Sequence, residues 1–355
     1  MDGYLILADG TKLEGEFVTD PKENPTVAVG WVAANTAIVG FQEMATDPAY
    51  RERILAFTYP EIGNVGITDD AFESDSFQIA GLIVKVLSDL PSHYRSQGNF
   101  GDALAEQKIP CLVDVDTRAL AVHLRTEGEM PAAIVTPDAD EADVTTQLAD
   151  MARPDFQPPK HVSETEEGSD PRVSVLDLGL RRSTLQQLAR CCNPSPIPWD
   201  SAPDDILESE PDGVLVSDGP GGSLPADQTI ETLRELRGRV PLYGWGLGHV
   251  ALGMALGCEP TFLKRGHHGA NYPIRNVVDG SLEIAVQRHT VLLDRESVES
   301  CENAEVLWEN LNDETVEGIR SADGSIVGMQ VLPVPPHPDG VNPHMQSFVD
   351  RLAGK

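Results

Sequence analysis

Three glycines, Gly244, Gly246 and Gly248, interrupt the stretch VPLYGWGLGHVALGMALG between Val240 and Gly257. The stretch reads as a buried strand, a tight turn and a helix. An elbow of the form G-x-nucleophile-x-G exposes its central side chain beside a helix N-terminus, whose amides stabilise an oxyanion. Its flanks must be small because the turn is strained and closely packed, and Gly244 and Gly248 fit. The centre is Gly246, which has no side chain to attack with. A second reading takes Gly246, Gly248 and Ala251 as the dinucleotide fingerprint G-x-G-x-x-[G/A]. Against it, this strand is expected to be the fourth of its domain rather than the first. Glu259 also comes too soon to be the ribose-binding acid expected about 20 residues on. A plain strand–helix turn without chemistry is the third reading.

Other residues with chemical potential are few. The five cysteines are Cys111, Cys191, Cys192, Cys258 and Cys301. None forms a C-x-x-C pair, so no zinc site is expected, and the odd count points to reduced thiols in a cytoplasm. Cys258 lies at the far end of the helix after Gly246 and is expected to be a small buried residue. His267 and His268 are adjacent, but no carboxylate or cysteine stands near them in sequence, so a structural role is expected rather than a metal site. His337 and His344 fall in a proline-rich tail and are expected to be solvated.

The elements that must position these residues fall into two groups. YLILADGTKLEGEFV alternates about a D-G turn and reads as a hairpin. WVAANTAIVGFQEMATDPAY reads as a strand followed by a loop. CLVDVDTRALAVHLRTEG runs from a short strand into a helix, with Asp116 or Thr117 as N-cap. Residues 153–172 are rich in Pro, Ser and acid and read as a linker between domains at 1–152 and 173–355. Beyond it, VSVLDLGL, PIPWD, DGVLVSDG and VPLYGWG are apolar runs alternating with helical segments, the pattern of a parallel sheet covered on both faces.

Composition excludes whole classes of function. A chain of 355 residues has ample core for two domains. A net charge of −31 would repel the phosphates of nucleic acid. No run approaches the roughly 20 apolar residues that span a bilayer, and the acidic N-terminus lacks the basic region of a signal peptide. Only seven residues are lysine. Many carboxylates with few lysines suit a halophilic setting, where high salt screens self-repulsion.

The residues around the elbow resemble a known family. NTAIVGFQEMATDPAY, FTYPEIGNVG and DVDTRALAVHLRTEG are similar to the N-terminal domain of the carbamoyl phosphate synthetase small subunit. LDLGLRRSTLQQLA, PDGVLVSDGPGG, the elbow itself, RGHHGANYP and QRHTVLLD resemble its C-terminal class I glutamine amidotransferase domain. The resemblance implies an α/β fold, with a smaller N-terminal domain and a doubly wound amidotransferase-like domain. It implies glutamine hydrolysis by a cysteine, a histidine and a glutamate. Ammonia then passes to a large subunit that makes carbamoyl phosphate for pyrimidine and arginine synthesis. No cofactor or metal is implied.

Carried over position by position, that chemistry is missing. The family elbow reads G-x-C-L-G-H-Q. Here Leu247 and His249 match, but Gly246 stands for the cysteine and Val250 for the glutamine. In the family's Q-G-H-P-E run, Leu332 replaces the histidine and Val334 the glutamate. Both are expected to pack apolar groups where polar ones stood. Ala49 replaces the glutamine-binding serine of a D-P-S-Y run. Arg288, Thr290 and Val291 replace three residues of the Q-N-H-G-F run, whereas Gly219 and Gly221 of the oxyanion-site G-P-G turn survive. The expected function is that of a non-catalytic partner of an ammonia-using large subunit. The alternatives are hydrolysis through an unrecognised nucleophile, or a free-standing ligand sensor or scaffold.

Overall fold

The structure, a computed structural model, describes residues 1–18, 26–159, 162–164, 168–337 and 339–354. Part of the expected linker therefore lies outside the described residues. The chain divides into two compact units. The first comprises Met1–Arg153 with Lys264–Gly269, and the second Pro154–Leu263 with Ala270–Lys355.

In the first unit, seven strands among the described residues close a barrel. The expected hairpin is there: Asp2–Leu7 pairs antiparallel with Lys12–Phe17. Thr11 N donates to Asp9 Oδ1 at 2.9 Å and fixes the turn. Apolar residues alternate inward, so Leu5, Leu7, Phe17, Val32, Ile54, Leu112 and Ile134 fill one core cluster. The helix Thr117–Glu127 begins at Asp116, whose carboxylate accepts from Ala119 N at 2.8 Å. Asp116→Ala leaves that amide without its cap. It is expected to cost about 1 kcal/mol, read as a fall of roughly 2–4 °C in the unfolding midpoint. The stretch expected to be loop after the strand Thr26–Asn35 contains a short helix, Phe41–Ala45, and a 3-10 turn, Pro48–Tyr50. Both are too short to show a helical period.

In the second unit, five strands run parallel in the order Asn193–Pro198, Arg172–Asp177, Gly213–Val216, Leu242–Trp245, Ile326–Met329. Antiparallel strands extend the sheet beyond Ile326–Met329. Successive residues of a strand serve opposite faces. Val214 and Val216 join the helices Asp227–Leu236 and Leu247–Leu256 in one core. Leu215, Tyr243 and Trp245 join Leu185, Leu188, Phe348 and Val349 in the other. This is the doubly wound arrangement, with the strand before the elbow fourth in sequence order.

The proline-rich tail holds a correction. Pro343–Leu352 is a helix, capped by Asn342, whose side chain accepts from His344 N at 3.0 Å. His344 is not solvated as expected: Nε2 meets Glu283 Oε2 at 2.9 Å, and the ring sits edge-on to Trp308. Among the described residues no helix is long and apolar enough to cross a membrane.

Candidate functional site

The elbow is built. Leu242–Trp245 enters it and Leu247–Leu256 leaves it, with Gly246 at φ 50°, ψ −113° between them. Such a conformation is strained for any residue with a Cβ. Two backbone bonds hold it: Gly246 N donates to Met329 O at 2.9 Å, and Val250 N donates to Gly246 O at 3.2 Å. Gly248 is required for a different reason. A Cβ there would overlap Val216 O and lie 2.8 Å from Ser217 O, so glycine lets the helix approach the neighbouring strand. Leu247 and Val250 are buried in the core beneath.

One residue not singled out from the sequence dominates this site. Asp218 precedes the G-P-G turn, and its Oδ1 accepts from Gly219 N at 2.8 Å and from Leu247 N at 3.1 Å. Leu247 is the first residue of the helix, so the carboxylate meets the positive end of its dipole. A Cβ added to Gly246 would overlap this carboxylate, with Asp218 Cγ 2.5 Å away. The tip of the elbow is therefore faced by an acid from another loop. That geometry also opposes the dinucleotide reading, because a carboxylate holds the amide that a pyrophosphate would need.

The other expected site residues divide between the units. Gly221 O accepts from Thr290 N at 2.8 Å and from Val291 N at 3.3 Å, which docks the G-P-G turn on the strand Leu282–Leu293. Arg288 lies on the same strand. Leu332 is buried, as expected, and its amide donates to Val286 O at 2.9 Å. Val334 corrects the expectation: it is 43% exposed. Its amide turns back onto Leu332 O at 2.8 Å, and its carbonyl accepts from Asn342 Nδ2 at 3.0 Å, so the backbone is held while the side chain faces out. Ala49 belongs to the first unit, buried, with its amide donating to Asp47 Oδ1 at 2.8 Å.

No cysteine falls within the elbow stretch Val240–Gly257. Burial pushes the thiols of Cys111 and Cys258 up to about 12. Cys192 is also pushed up, first by its contact with Cys191 and then by burial, while that contact lowers Cys191. Cys191 ends the helix Arg182–Cys191 and directs Sγ to Gln187 O. His249, one turn into the elbow helix, is fully buried, and burial lowers its pKa to about 3.

The first unit contains a buried polar chain that the sequence did not reveal. Asn35 Nδ2 donates to Tyr50 Oη at 2.8 Å, and Tyr50 Oη meets His268 Nδ1 at 3.3 Å. His268 Nε2 meets Glu129 Oε1 at 2.8 Å, and Glu129 also pairs with Arg53 and accepts from Gly266 N at 2.8 Å. A neutral His268 protonated on Nε2 donates to Glu129 through that nitrogen and accepts from Tyr50 Oη through Nδ1. Desolvation lowers the His268 pKa, which agrees with that state. Both ring nitrogens of His268 are engaged, consistent with the structural role expected for it.

Comparison with known proteins now bears on these features. The pattern of the family described as carbamoyl-phosphate synthase small chain, CPSase domain, matches residues 5–134. That of glutamine amidotransferase class-I matches residues 174–339. A carbamoyl phosphate synthase small chain of Methanopyrus kandleri is 38% identical over 343 residues, covering 94% of each chain. One from Bacillus cereus is 37% identical, covering 90% of this chain and 87% of its own. One from Staphylococcus epidermidis is 33% identical, covering 98% and 95%. With an elbow, a G-P-G turn and both halves matched over nearly its whole length, the chain belongs to the carbamoyl phosphate synthase small chain family.

Proposed function

We propose that this chain is a non-catalytic member of its family, which stabilises a carbamoyl phosphate synthase large subunit working on free ammonia. The observation that carries the reading is Gly246 at the tip of an otherwise intact elbow. Covalent catalysis needs a nucleophile there and a base beside it. Without the attacking atom, the remaining amides supply only a residual acceleration. In this reading Gly246, Leu332 and Val334 are the vestiges of nucleophile, base and orienter. Ala49, Gly219, Gly221, Leu247, Val250, Arg288, Thr290 and Val291 stand at the positions that the family resemblance assigns to glutamine binding. Residues 1–152 and 173–355 act as two domains joined by 153–172, except that Lys264–Gly269 belongs with the first compact unit. The five thiols suit a reducing cytoplasm, and a net charge of −31 suits a protein of a salt-rich cell.

The test pairs this chain with the large subunit of the same genome. The purified chain is expected to release no ammonia from glutamine. The complex is expected to form carbamoyl phosphate from ammonium chloride and not from glutamine. Glutamine-dependent synthesis that disappears when this chain is withdrawn would sink the proposal. A glutamine-analogue electrophile supplies an independent check, since an adduct on any cysteine would mark a nucleophile elsewhere.

A further inference from the structure

We propose that the Asp218 carboxylate is a resident occupant of the elbow's anion-binding amides, a built-in contact that keeps the site closed to external carboxylates and oxyanions. The inference rests on reading the elbow as silent, and adds that the site has been refilled rather than emptied. Three observations support it. Oδ1 of Asp218 accepts from two backbone amides on different segments, Gly219 N and Leu247 N, at 2.8 and 3.1 Å. Leu247 opens a ten-residue helix, so the bound group sits where negative charge is favoured. The carboxylate also occupies the space that a side chain on Gly246 would need. A glycine at the tip leaves the first amide of the helix without a local cap, and Asp218 supplies that cap from another loop. The donors that would hold a developing oxyanion are thereby committed in the resting protein.

The ligand class of the underlying site follows from its occupant: a small carboxylate. Thermal unfolding of the full-length chain tests this with sodium formate as probe, against sodium chloride at equal ionic strength. Asp218→Ala is expected to melt several degrees below the native chain. Formate is expected to raise its midpoint in a concentration-dependent way and to leave the native chain unmoved. An Asp218→Ala variant as stable as the native chain, or an equal formate response in both, overturns the proposal. Asp218→Asn covers the case in which the alanine variant does not fold, because it keeps the side-chain shape and loses the charge. In it, the Gly219 and Leu247 amides are expected to exchange hydrogen about tenfold faster, with amides of the strand Gly213–Val216 unchanged. Unchanged exchange at both amides overturns the proposal as well. None of these readouts involves glutamine. Glutaminase activity in the native chain defeats the silent-site reading and leaves the carboxylate contact standing, and failure of the formate and exchange arms does the reverse.

Discussion

Replacing Gly246 by cysteine is expected to destabilise the chain and to restore no glutaminase. Two costs combine in the folded state. Gly246 sits at φ 50°, ψ −113°, where a residue with a Cβ is strained by about 1–3 kcal/mol. The new Cβ would also overlap the Asp218 carboxylate and push it from the Gly219 and Leu247 amides. Losing hydrogen bonds to a charged acceptor costs about 1.5–3 kcal/mol. Together these give roughly 2.5–6 kcal/mol, a large share of a typical stability of about 5–15 kcal/mol. The thiol would also be a poor nucleophile, since a neighbouring carboxylate disfavours the thiolate and Leu332 offers no base. Adding Leu332→His and Val334→Glu to Gly246→Cys is expected to restore no glutaminase either, because the side chain at 334 faces out. The measurement is the rate of thiol alkylation by a glutamine-analogue electrophile, alongside urea midpoints. Gly246→Cys with Asp218→Gly is expected to react at least tenfold faster than Gly246→Cys alone. A Gly246→Cys variant as stable as the native chain, or one that hydrolyses glutamine, would contradict the account.

How much of this was legible in the sequence depended on the range of each interaction. The elbow's flanking glycines, the parallel strands and the Asp116 cap rest on neighbours a few residues apart, so local pattern revealed them. The closed barrel joins strands such as Asp2–Leu7 and Pro131–Val135, whose pairing leaves no local trace. The helix Pro343–Leu352 was hidden by the prolines before it, although Pro343 stands at a first helical position, where proline is favoured. Asp218 was visible as an acid before G-P-G, but its reach to Leu247 N spans 29 residues and depends on the tertiary fold. Apolar character suggested that Val334 would be buried. The hydrogen bonds that fix its backbone turned it to solvent instead.

Neutralising Glu129 is expected to be at least as damaging to the first unit, although no catalytic role attaches to it. The side chains of Glu129, Arg53 and His268 are almost wholly buried, with accessibilities of 1%, 2% and 2%. Glu129→Gln leaves the Arg53 guanidinium in that interior without its counter-charge. Breaking one side of such a pair costs about 3–5 kcal/mol, whereas removing both charges costs far less. Arg53→Met combined with Glu129→Gln is therefore expected to lose much less than the sum of the single variants. Urea midpoints at constant slope measure all three, and additive losses would show that the pair is not coupled. The same chain fixes the sign of a pH effect. The folded-state pKa of His268 is lowered, first by desolvation, and that of His249 is lowered to about 3 by burial. Unfolded histidine binds a proton near about 6.5, and the folded forms do so only at lower pH. Below that value the unfolded state holds more protons, so stability is complete above about pH 6.5 and falls as pH drops towards the folded values. Each histidine contributes a slope of at most about 1.4 kcal/mol per pH unit. His268→Gln is expected to flatten the decline between pH 6.5 and 5 at fixed ionic strength. An unchanged slope would mean that His268 binds its proton alike in the folded and unfolded chains, against the lowering that desolvation gives it.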